Sequence, residues 1–520
     1  MSKLYSNDLD LQQKILNGVN KLADNVAVTL GPKGRNVILK TKEGRPVITK
    51  DGVTVANFVD LEDKIEDAGA QILKQVASET NTHAGDGTTT STVLARDIIR
   101  NSQKYLIAGS SPIELKRGMD KALREVIKNI EGMSQPVKSN EDIQNIATIS
   151  ANNDEKIGKL IASAVDKVGH EGSILIEEAK ALETSLDLVE GFRFDAGYFA
   201  QAFVTNERKN SIEYDDALIF VTDHKIDTVK KILPVLELAA RESRPLIIVA
   251  EQVEGQALAA LIMNTVRGSM KVAAVKAPGY GNERINTMKD LCIATGAKFF
   301  TRVGGETLDD ITLPDFGLCK KVEILKEHTV ITGGNADYEK VDARIESLKS
   351  EIKQTESMHE CRIIQKRITR LAAGIAVIKV GGATEVEMIE RKHRLEDALE
   401  AVKSAQSEGI VPGGGSTLLS CSNFKIESEE EDQLIGAEIV RKSLQAPIRQ
   451  MAENAGESPD LVVDRVVNSK NLGWDFKNHK LTDMLKAGIV DPAKVTRIAL
   501  QNSISAASTL ITTSNAIIEE

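Results

Sequence analysis

Aromatic side chains and cysteines are scarce in this sequence. Of its 520 residues only one is Trp and four are Cys, and aromatic residues make up 3%. A core with so few rings must depend on Ala, Val, Ile and Leu packed in helices and short strands. The cysteines are widely separated, without a CxxC pair, so we interpret them as reduced thiols rather than as disulfides or metal ligands. They are Cys292, Cys319, Cys361 and Cys421.

Long apolar runs and blocks of positive charge are also missing. No stretch approaches the ~18 apolar residues that indicate a membrane span, and the first eight positions lack the apolar core of a secretory signal. Acidic residues outnumber basic ones by 76 to 66, giving a net charge of −10 spread along the chain. We therefore expect a cytoplasmic protein with neither a membrane nor a nucleic-acid partner.

The length and the order of the predicted elements favour several domains. At 520 residues and ~150 residues per domain, about three are expected. Apolar periodicity predicts helices in the first and last parts of the chain, whereas short strands such as 217–221 and 245–250 alternate with helices in the middle. The pattern predicts a multidomain α and α/β protein with an inserted α/β domain that begins at Gly191 and ends near Gly374.

The most informative stretch is a carboxylate between two glycines, followed by a run of hydroxyls. Gly85 and Gly87 let the backbone approach a ligand closely, and Asp86 offers oxygen to a hard cation. Thr88, Thr89 and the residues after them open an apolar-periodic helix, whose N-terminus favours anionic oxygen. The sequence therefore predicts a cradle for phosphate and metal, and the alternative for this stretch alone is an ordinary turn with Thr as the helix cap.

Two further segments near the N-terminus also place glycines next to charged residues at the end of a predicted element. A helical pattern from Leu9 ends at Gly31-Pro32, because proline cannot continue it. Residues 37–40 and 46–49 are predicted to form a hairpin around a turn at Glu43-Gly44. Directly after the hairpin, Lys50-Asp51-Gly52 places a second carboxylate beside a glycine.

These segments resemble the nucleotide-binding motifs of the group I chaperonins, the GroEL family. The similar stretches are 29–37 (TLGPKGRNV), 48–54 (ITKDGVT) and 84–90 (AGDGTTT). The resemblance covers nearly the whole chain and implies the chaperonin fold. It implies a mainly helical equatorial ATP-binding domain at 1–132 and 408–520, a small α/β intermediate domain at 133–190 and 375–407, and an α/β apical domain at 191–374.

The resemblance also implies the residues of an ATP site. Asp86 would be the Mg²⁺ ligand, and K⁺ is expected as a second cation near Lys50. Asp397 and Asp51 would be the catalytic carboxylates, although an Asp in so charged a helix would otherwise be interpreted as a solvated residue. The full predicted nucleotide set is Thr29, Leu30, Gly31, Pro32, Lys50, Asp86, Gly87, Thr88, Thr89, Thr90, Gly413, Gly414, Gly415, Asp475, Phe476, Lys477 and Asp491.

The chain departs from the family at the adenine-side loop. Aligned on Gly473 and Asp491, it has Asp475-Phe476-Lys477 where Asn-Ala-Ala is usual. Asparagine donates and accepts hydrogen bonds, whereas an ionised aspartate only accepts them. The sequence therefore does not decide how this loop contacts adenine or how tightly the site binds the nucleotide.

The middle domain is expected to bind non-native clients. Apolar residues at helical spacing are usually core, but the resemblance implies that some of them line a ring cavity. The predicted client-binding residues are Tyr198, Phe203, Leu233, Leu236, Leu258, Ile262 and Met263.

The implied activity is ATP-driven protein folding in a homo-oligomeric, heptameric ring with a separate co-chaperonin lid. Ser458 stands where the family commonly has a Glu that joins back-to-back rings, so we expect a weaker double ring. The alternative function is a ring-forming holdase or scaffold with weakened ATP cycling. A small-molecule kinase is a more distant alternative. The charged run 339–370 is interpreted as a solvated helix or helical hairpin without chemistry.

Overall fold

The structure is a computed structural model that describes residues 3–40, 46–169, 173–179, 181–355, 357–372, 374–469 and 472–519. The chain divides into two compact units. The first comprises Met1–Ser163, Glu178–Thr184 and Val380–Glu520, and the second comprises Ala164–Glu177 and Ser185–Lys379. No helix in the described part of the chain has both the length and the apolar character needed to cross a bilayer.

Helices and short strands make up both units. The helices are α1 Asp8–Ala27, α2 Gly52–Phe58, α3 Lys64–Ala84, α4 Thr88–Ile107, α5 Pro112–Met133, α6 Asn140–Ser150, α7 Glu155–Val168, α8 Val229–Glu242, α9 Gly255–Val266, α10 Gly281–Thr295, α11 Tyr338–Gln354, α12 Met358–Ala372, α13 Glu385–Glu408, α14 Ser416–Ser420, α15 Glu431–Ser443, α16 Ala446–Asn454, α17 Pro459–Asn468 and α18 Ala493–Ile511. The strands are β1 Lys3–Asn7, β2 Val37–Leu39, β3 Val47–Thr49, β4 Ser173–Glu178, β5 Ser185–Val189, β6 Gly191–Phe194, β7 Ile212–Ile226, β8 Leu246–Val253, β9 Val272–Lys276, β10 Phe299–Phe300, β11 Gly317–Ile324, β12 Thr329–Gly334, β13 Ile375–Val380, β14 Ile410–Pro412, β15 Gly473–Asp475, β16 Lys480–Thr482, β17 Val490–Pro492 and β18 Asn515–Glu519.

The core of the first unit is a helical bundle. Helix α18 packs against α3, α4 and α5, and α1 packs against α3 and α4. The predicted apolar face of α1 is confirmed, since its members at 11, 15, 19, 22 and 26 are all buried. Helix α5 begins as its sequence predicts, with Ser111 as the cap and Pro112 in the first turn. The bundle thus brings both ends of the chain into one core.

The described strands of the first unit are short. Strands β2 and β3 form the predicted antiparallel hairpin, and its expected turn at Glu43-Gly44 lies outside the described residues. The prediction of helix from 416 to the C-terminus, broken only by loops, was wrong in three places. Strands β15 and β16 pair with each other, β17 pairs with β14, and β18 pairs antiparallel with β1.

One predicted helix is two helices. The segment 145–168 was expected to be continuous, but α6 ends at Ser150 and α7 begins at Glu155. Asn152 (φ 58°) and Asn153 (φ 64°) between them adopt the left-handed conformation. Asparagine tolerates this conformation better than most residues, so the chain turns here.

The second unit is built on a mixed sheet of seven strands. Its order is β6-β12-β11-β7-β8-β9, with β10 also paired to β7. Strands β7, β8 and β9 are parallel, and β7, β11, β12 and β6 are antiparallel. A second sheet has the order β4-β13-β5. The alternation of strands and helices confirms the predicted α/β character of the middle of the chain.

The charged run 339–370 forms a helical hairpin, α11 and α12. One buried carboxylate joins it to α10: Asp290 accepts hydrogen bonds from Arg367 at 2.7 and 2.9 Å and from Arg344 at 3.1 Å. The sequence left open whether this run forms one solvated helix or a helical hairpin, and the structure has the hairpin. The three-domain division, with its boundaries at 133, 191, 375 and 408, stays a prediction.

Candidate functional site

The predicted cradle lies at the junction of α3 and α4. Gly85 ends α3 with φ 73°, and Gly87 precedes α4 with φ 82°. No side chain caps the N-terminus of α4, so its first backbone N–H groups are available to an anion. The hydroxyls of Thr88 and Thr89 belong to this first turn.

Two other segments close against this turn. The hydroxyl of Thr29 lies 3.1 Å from that of Thr89. A Cβ on Gly52 would lie 2.5 Å from the same Thr89 oxygen, so no other residue fits there without displacement. Beside it, Asp51 caps α2 by accepting hydrogen bonds from the backbone N–H groups of Val53 and Thr54, each at 3.2 Å.

Lys50 joins two loops of the site. Its Nζ donates to the carbonyl oxygen of Gly31 over 3.0 Å and to Oδ1 of Asn152 over 2.9 Å. Burial, together with the nearby positive charge of Arg394, lowers the pKa of Lys50 to about 8, and the negative charge of Glu390 acts in the opposite direction. A cation is thus held beside the Gly31 turn.

The carboxylate of Asp86 is held from the opposite side by the end of α6. The Ser150 hydroxyl donates to Oδ2 of Asp86 over 2.7 Å. Burial raises the pKa of Asp86, while the hydrogen bonds from Ser150 and from the Gly87 N–H act to lower it. Oxygen ligands of this kind, with one or two carboxylates and substrate phosphates, are those that Mg²⁺ prefers.

Asp491 on β17 brings a second carboxylate into the pocket. Burial, and then the charge of Asp86, raise the pKa of Asp491 to about 7. A Cβ on Gly413, the residue after β14, would lie 3.1 Å from Oδ1 of Asp491, so the backbone passes close to this carboxylate. The two acidic groups make this part of the pocket suited to a cation or to hydroxyl donors.

Helix α13 lies over the cradle. Asp397 lines the pocket, together with three neighbours on the same helix, Glu390, His393 and Arg394. Ser404 of α13 donates from its hydroxyl to the carbonyl oxygen of Ala84 over 2.7 Å. Asp397 therefore lines the pocket and does not lie on a solvated face of this charged helix.

All but one of the predicted catalytic and nucleotide-binding residues line this one pocket. The exception is Gly413, which lies beside Asp491 but is not part of the lining. Their individual roles stay predictions. Among the lining residues that the sequence analysis missed are Ser150, Asn152, Glu390, His393, Arg394, Met451 and Trp474. The adjacent asparagines at 152 and 153 were a turn signal that could have indicated the first two.

No cluster of three or more His, Cys, Asp or Glu side chains suited to hold a metal occurs among the described residues.

The predicted client-binding residues of the second unit differ widely in exposure. Leu233 on α8 and Met263 on α9 are 45% and 46% exposed, and Leu258 and Ile262 are half-buried. Tyr198 and Leu236 are buried, and Phe203 has no exposed surface. In this structure Phe203 is therefore part of the core and is not available to a client.

The sequence matches the TCP-1/cpn60 chaperonin family over residues 22–520. Two solved structures resemble the fold across 99% of both chains at 20% identity. Both are crystal structures of the chaperonin gp146 from the bacteriophage EL 2 (Pseudomonas aeruginosa) in presence of ATP-BeFx, with TM-scores of 0.69 for crystal form II and 0.63 for crystal form I. The fold thus defines a chaperonin, as predicted. The chain belongs to the TCP-1/cpn60 chaperonin family.

Proposed function

We propose that this chaperonin binds and hydrolyses Mg-ATP in the pocket described above and uses the cycle to promote the folding of non-native proteins. The observation that carries the proposal is the convergence of the α4 N-terminus, Asp86, Lys50 and Asp397 on one pocket. These groups come from distant parts of the chain, and together they match the needs of phosphoryl transfer to water.

Each group has a distinct task in this proposal. The N-terminus of α4, with the hydroxyls of Thr88 to Thr90, binds the phosphates. Asp86 fits Mg²⁺, which when bound would offset the negative charge of the phosphates. Asp397 orients the attacking water and accepts its proton, and Asp51 supports it. The region of Lys50 and Thr29 is proposed as the place of K⁺.

Client binding is proposed for the apolar surface of α8 and α9. Exposed Leu233 and Met263, with half-buried Leu258 and Ile262, offer an adaptable apolar contact without sequence preference. Tyr198 and Leu236 are buried and would need a local rearrangement to take part. A homo-oligomeric, heptameric ring with a co-chaperonin lid is proposed as the assembly in which this surface acts.

The decisive variant is Asp397→Asn. We expect it to keep the affinity for Mg-ATP and to lose at least about 100-fold in turnover, because the loss of a general base typically costs 10²–10⁴-fold. Asp342→Asn, at an exposed position of α11 outside the pocket, is the matched control and should hydrolyse ATP like the parent. Unchanged turnover in Asp397→Asn would contradict the assignment.

Refolding of a denatured client in the same preparations separates the chaperonin from the holdase. An ATP-dependent yield of active client in the parent, lost in Asp397→Asn, supports the proposal. Suppression of aggregation without any effect of ATP would instead favour the holdase or scaffold.

A further inference from the structure

The carboxylate of Asp475 is committed to its own turn. Its Oδ1 accepts hydrogen bonds from the backbone N–H groups of Lys477 and Asn478 at 2.9 and 3.2 Å, and its Oδ2 accepts one from Nδ2 of Asn478 at 2.7 Å. Asp475 is only 6% exposed. Three donors within three residues therefore use most of the acceptor capacity of this group.

The hairpin that carries Asp475 is also held from outside the pocket. At its turn, His479 adopts φ 54° and pairs with Glu457 in the loop between α16 and α17. On its other side, the guanidinium of Arg465 lies 5.3 Å from the centre of the Trp474 ring, within the range of a cation–π contact. The hairpin is thus held by contacts to Glu457 and Arg465 as well as by its own turn.

The pocket wall around this hairpin combines apolar side chains with Asp475 and Lys477. Met451, Trp474, Phe476 and Ile489 line it, and such a surface suits the flat face of a base. The phosphates are expected at the α4 N-terminus, which leaves this wall to the base. The buried Nε1 of Trp474 has no hydrogen-bond partner among the described residues and could donate to the N7 atom of a purine. Because N7 is an acceptor in both adenine and guanine, such a hydrogen bond would not distinguish the two bases.

We propose that the site does not identify the base through Asp475 and that it accepts guanine as well as adenine nucleoside triphosphates. The inference rests on the proposed nucleotide-binding function and deepens it. An apolar pocket discriminates between similar ligands by only ~10–200-fold, whereas a site built to hydrogen-bond one of them rejects the other by ~10⁴–10⁵-fold. The oxygens of Asp475 are committed to the turn, so this side chain does not supply such a hydrogen bond to the base edge.

The test is a calorimetric comparison of the β,γ-imido analogues of ATP and GTP, each with Mg²⁺, on the full-length protein. These analogues are not hydrolysed, so the ratio of their dissociation constants reports binding alone. We expect a ratio below about 200, the limit for a pocket without hydrogen-bond readout. A larger ratio would overturn the inference while leaving the proposed function intact, and failure of both analogues to bind would overturn both.

A second arm asks whether Asp475 contacts the base. Asp475→Asn replaces an acceptor by a group that also donates, which would change the ratio strongly if the side chain met the base edge. We expect the ratio of the two dissociation constants in this variant to stay within about tenfold of the parent's ratio, since tenfold is the smallest discrimination typical of an apolar pocket. We also expect the melting temperature of the variant to fall, because the turn loses a hydrogen bond.

The matched control is Asp483→Asn, since Asp483 accepts from the N–H of Lys486 at 3.3 Å in a nearby turn that does not line the pocket. A ratio that shifts more than about tenfold in Asp475→Asn and not in Asp483→Asn would overturn the inference. If Asp475→Asn does not fold, the ratio measured on the parent still decides the question.

Discussion

The hydroxyl of Ser150 donates to Oδ2 of Asp86 over 2.7 Å, so the last residue of α6 holds the carboxylate proposed to bind Mg²⁺. The two residues are 64 positions apart, and the contact depends on the turn at Asn152 and Asn153 that ends α6. Removing a partner that orients a metal-binding carboxylate typically costs about 10–100-fold in metal affinity.

Ser150→Ala should therefore raise the Mg²⁺ concentration needed for half-maximal ATPase activity by about tenfold, because removing such an orienting partner costs 10–100-fold in metal affinity. Ser150→Thr keeps the hydroxyl and should stay close to the parent. Magnesium titrations of steady-state hydrolysis measure the effect, and equal Mg²⁺ requirements for Ala and Thr would show that the hydrogen bond has no such role.

Gly85 is required for the approach of α13 to the cradle. A Cβ there would lie 2.2 Å from Cβ of Glu400, and the residue has φ 73°. Gly85→Ala should lower the melting temperature and the ATPase rate together, since the left-handed conformation alone costs ~1–2 kcal/mol and the clash displaces α13. Gly132→Ala is the control, because nothing lies within 4 Å of its added Cβ. Equal stability of the two variants would contradict this packing.

The burial of Asp97 on α4 should make the thermal stability of the protein depend on pH. Burial raises the pKa of this carboxyl, more than its hydrogen bonds with Ser443 and Asn101 lower it. A group whose pKa is raised by folding favours the folded state while protonated and loses that advantage as pH rises from about 4 through its folded pKa. Asp97→Asn should therefore gain melting temperature over the parent, by more at pH 8 than at pH 4.5.

The control for Asp97 is Asp166→Asn, at an exposed position of α7, which should shift little at either pH. Thermal unfolding followed by fluorescence at both pH values provides the comparison. A gain for Asp97→Asn that is equal at the two pH values, or larger at pH 4.5, would refute the role given to burial.

The four thiols should differ in reactivity. Burial raises the pKa of Cys319 and of Cys421 to about 12 and raises that of Cys292 as well, whereas Cys361 is half-buried. Because the thiolate is the reactive form, an aromatic disulfide reagent at pH 8 should modify one thiol readily and the others only after denaturation. The fast reaction should disappear in Cys361→Ser, and any fast thiol that remains in that variant would be inconsistent with the burial of the other three.

The expectation of a weak double ring concerns the loop before α17. Ser458 starts this helix, and Arg449 pairs with Asp460 of the same chain at 2.7 Å. An exposed ion pair contributes only ~0–1 kcal/mol, but its loss would repeat around a ring. Native mass spectrometry with and without ATP should show single rings in at least one of the two states, and Ser458→Glu should shift the population toward double rings. Stable double rings of the parent under both conditions would refute this hypothesis.

Local patterns were sufficient to predict much of the fold. The apolar face of α1 and the proline at the start of α5 each depend on neighbours within a few turns of helix, and both are confirmed. The helix predicted to stop at Gly31-Pro32 ends earlier, at Ala27. The phosphate cradle was predicted in the same way, from glycines flanking a carboxylate. Such features need only backbone geometry and spacing.

Other features depended on contacts that spacing does not encode. The turn after α6 was missed because apolar periodicity continued through it. The short strands β15 and β17 were interpreted as loops because their partners lie elsewhere in the chain. Phe203 was expected at a binding surface, but tertiary packing buries it completely.

The sequence by itself determined the class of protein, through motifs that resemble those of the chaperonins, and it predicted many of the residues that line the pocket. It determined the turns of the cradle because glycines, prolines and carboxylates at set spacings dictate local backbone geometry. Only the tertiary structure decided how those residues are used. It placed Ser150 against Asp86, and Asn152 against Lys50. It also packed α13 against Gly85, and the carboxylate of Asp475 hydrogen-bonds within its own turn. These contacts join positions that are remote in the chain or depend on one turn's geometry, so packing had to form before they could be assigned.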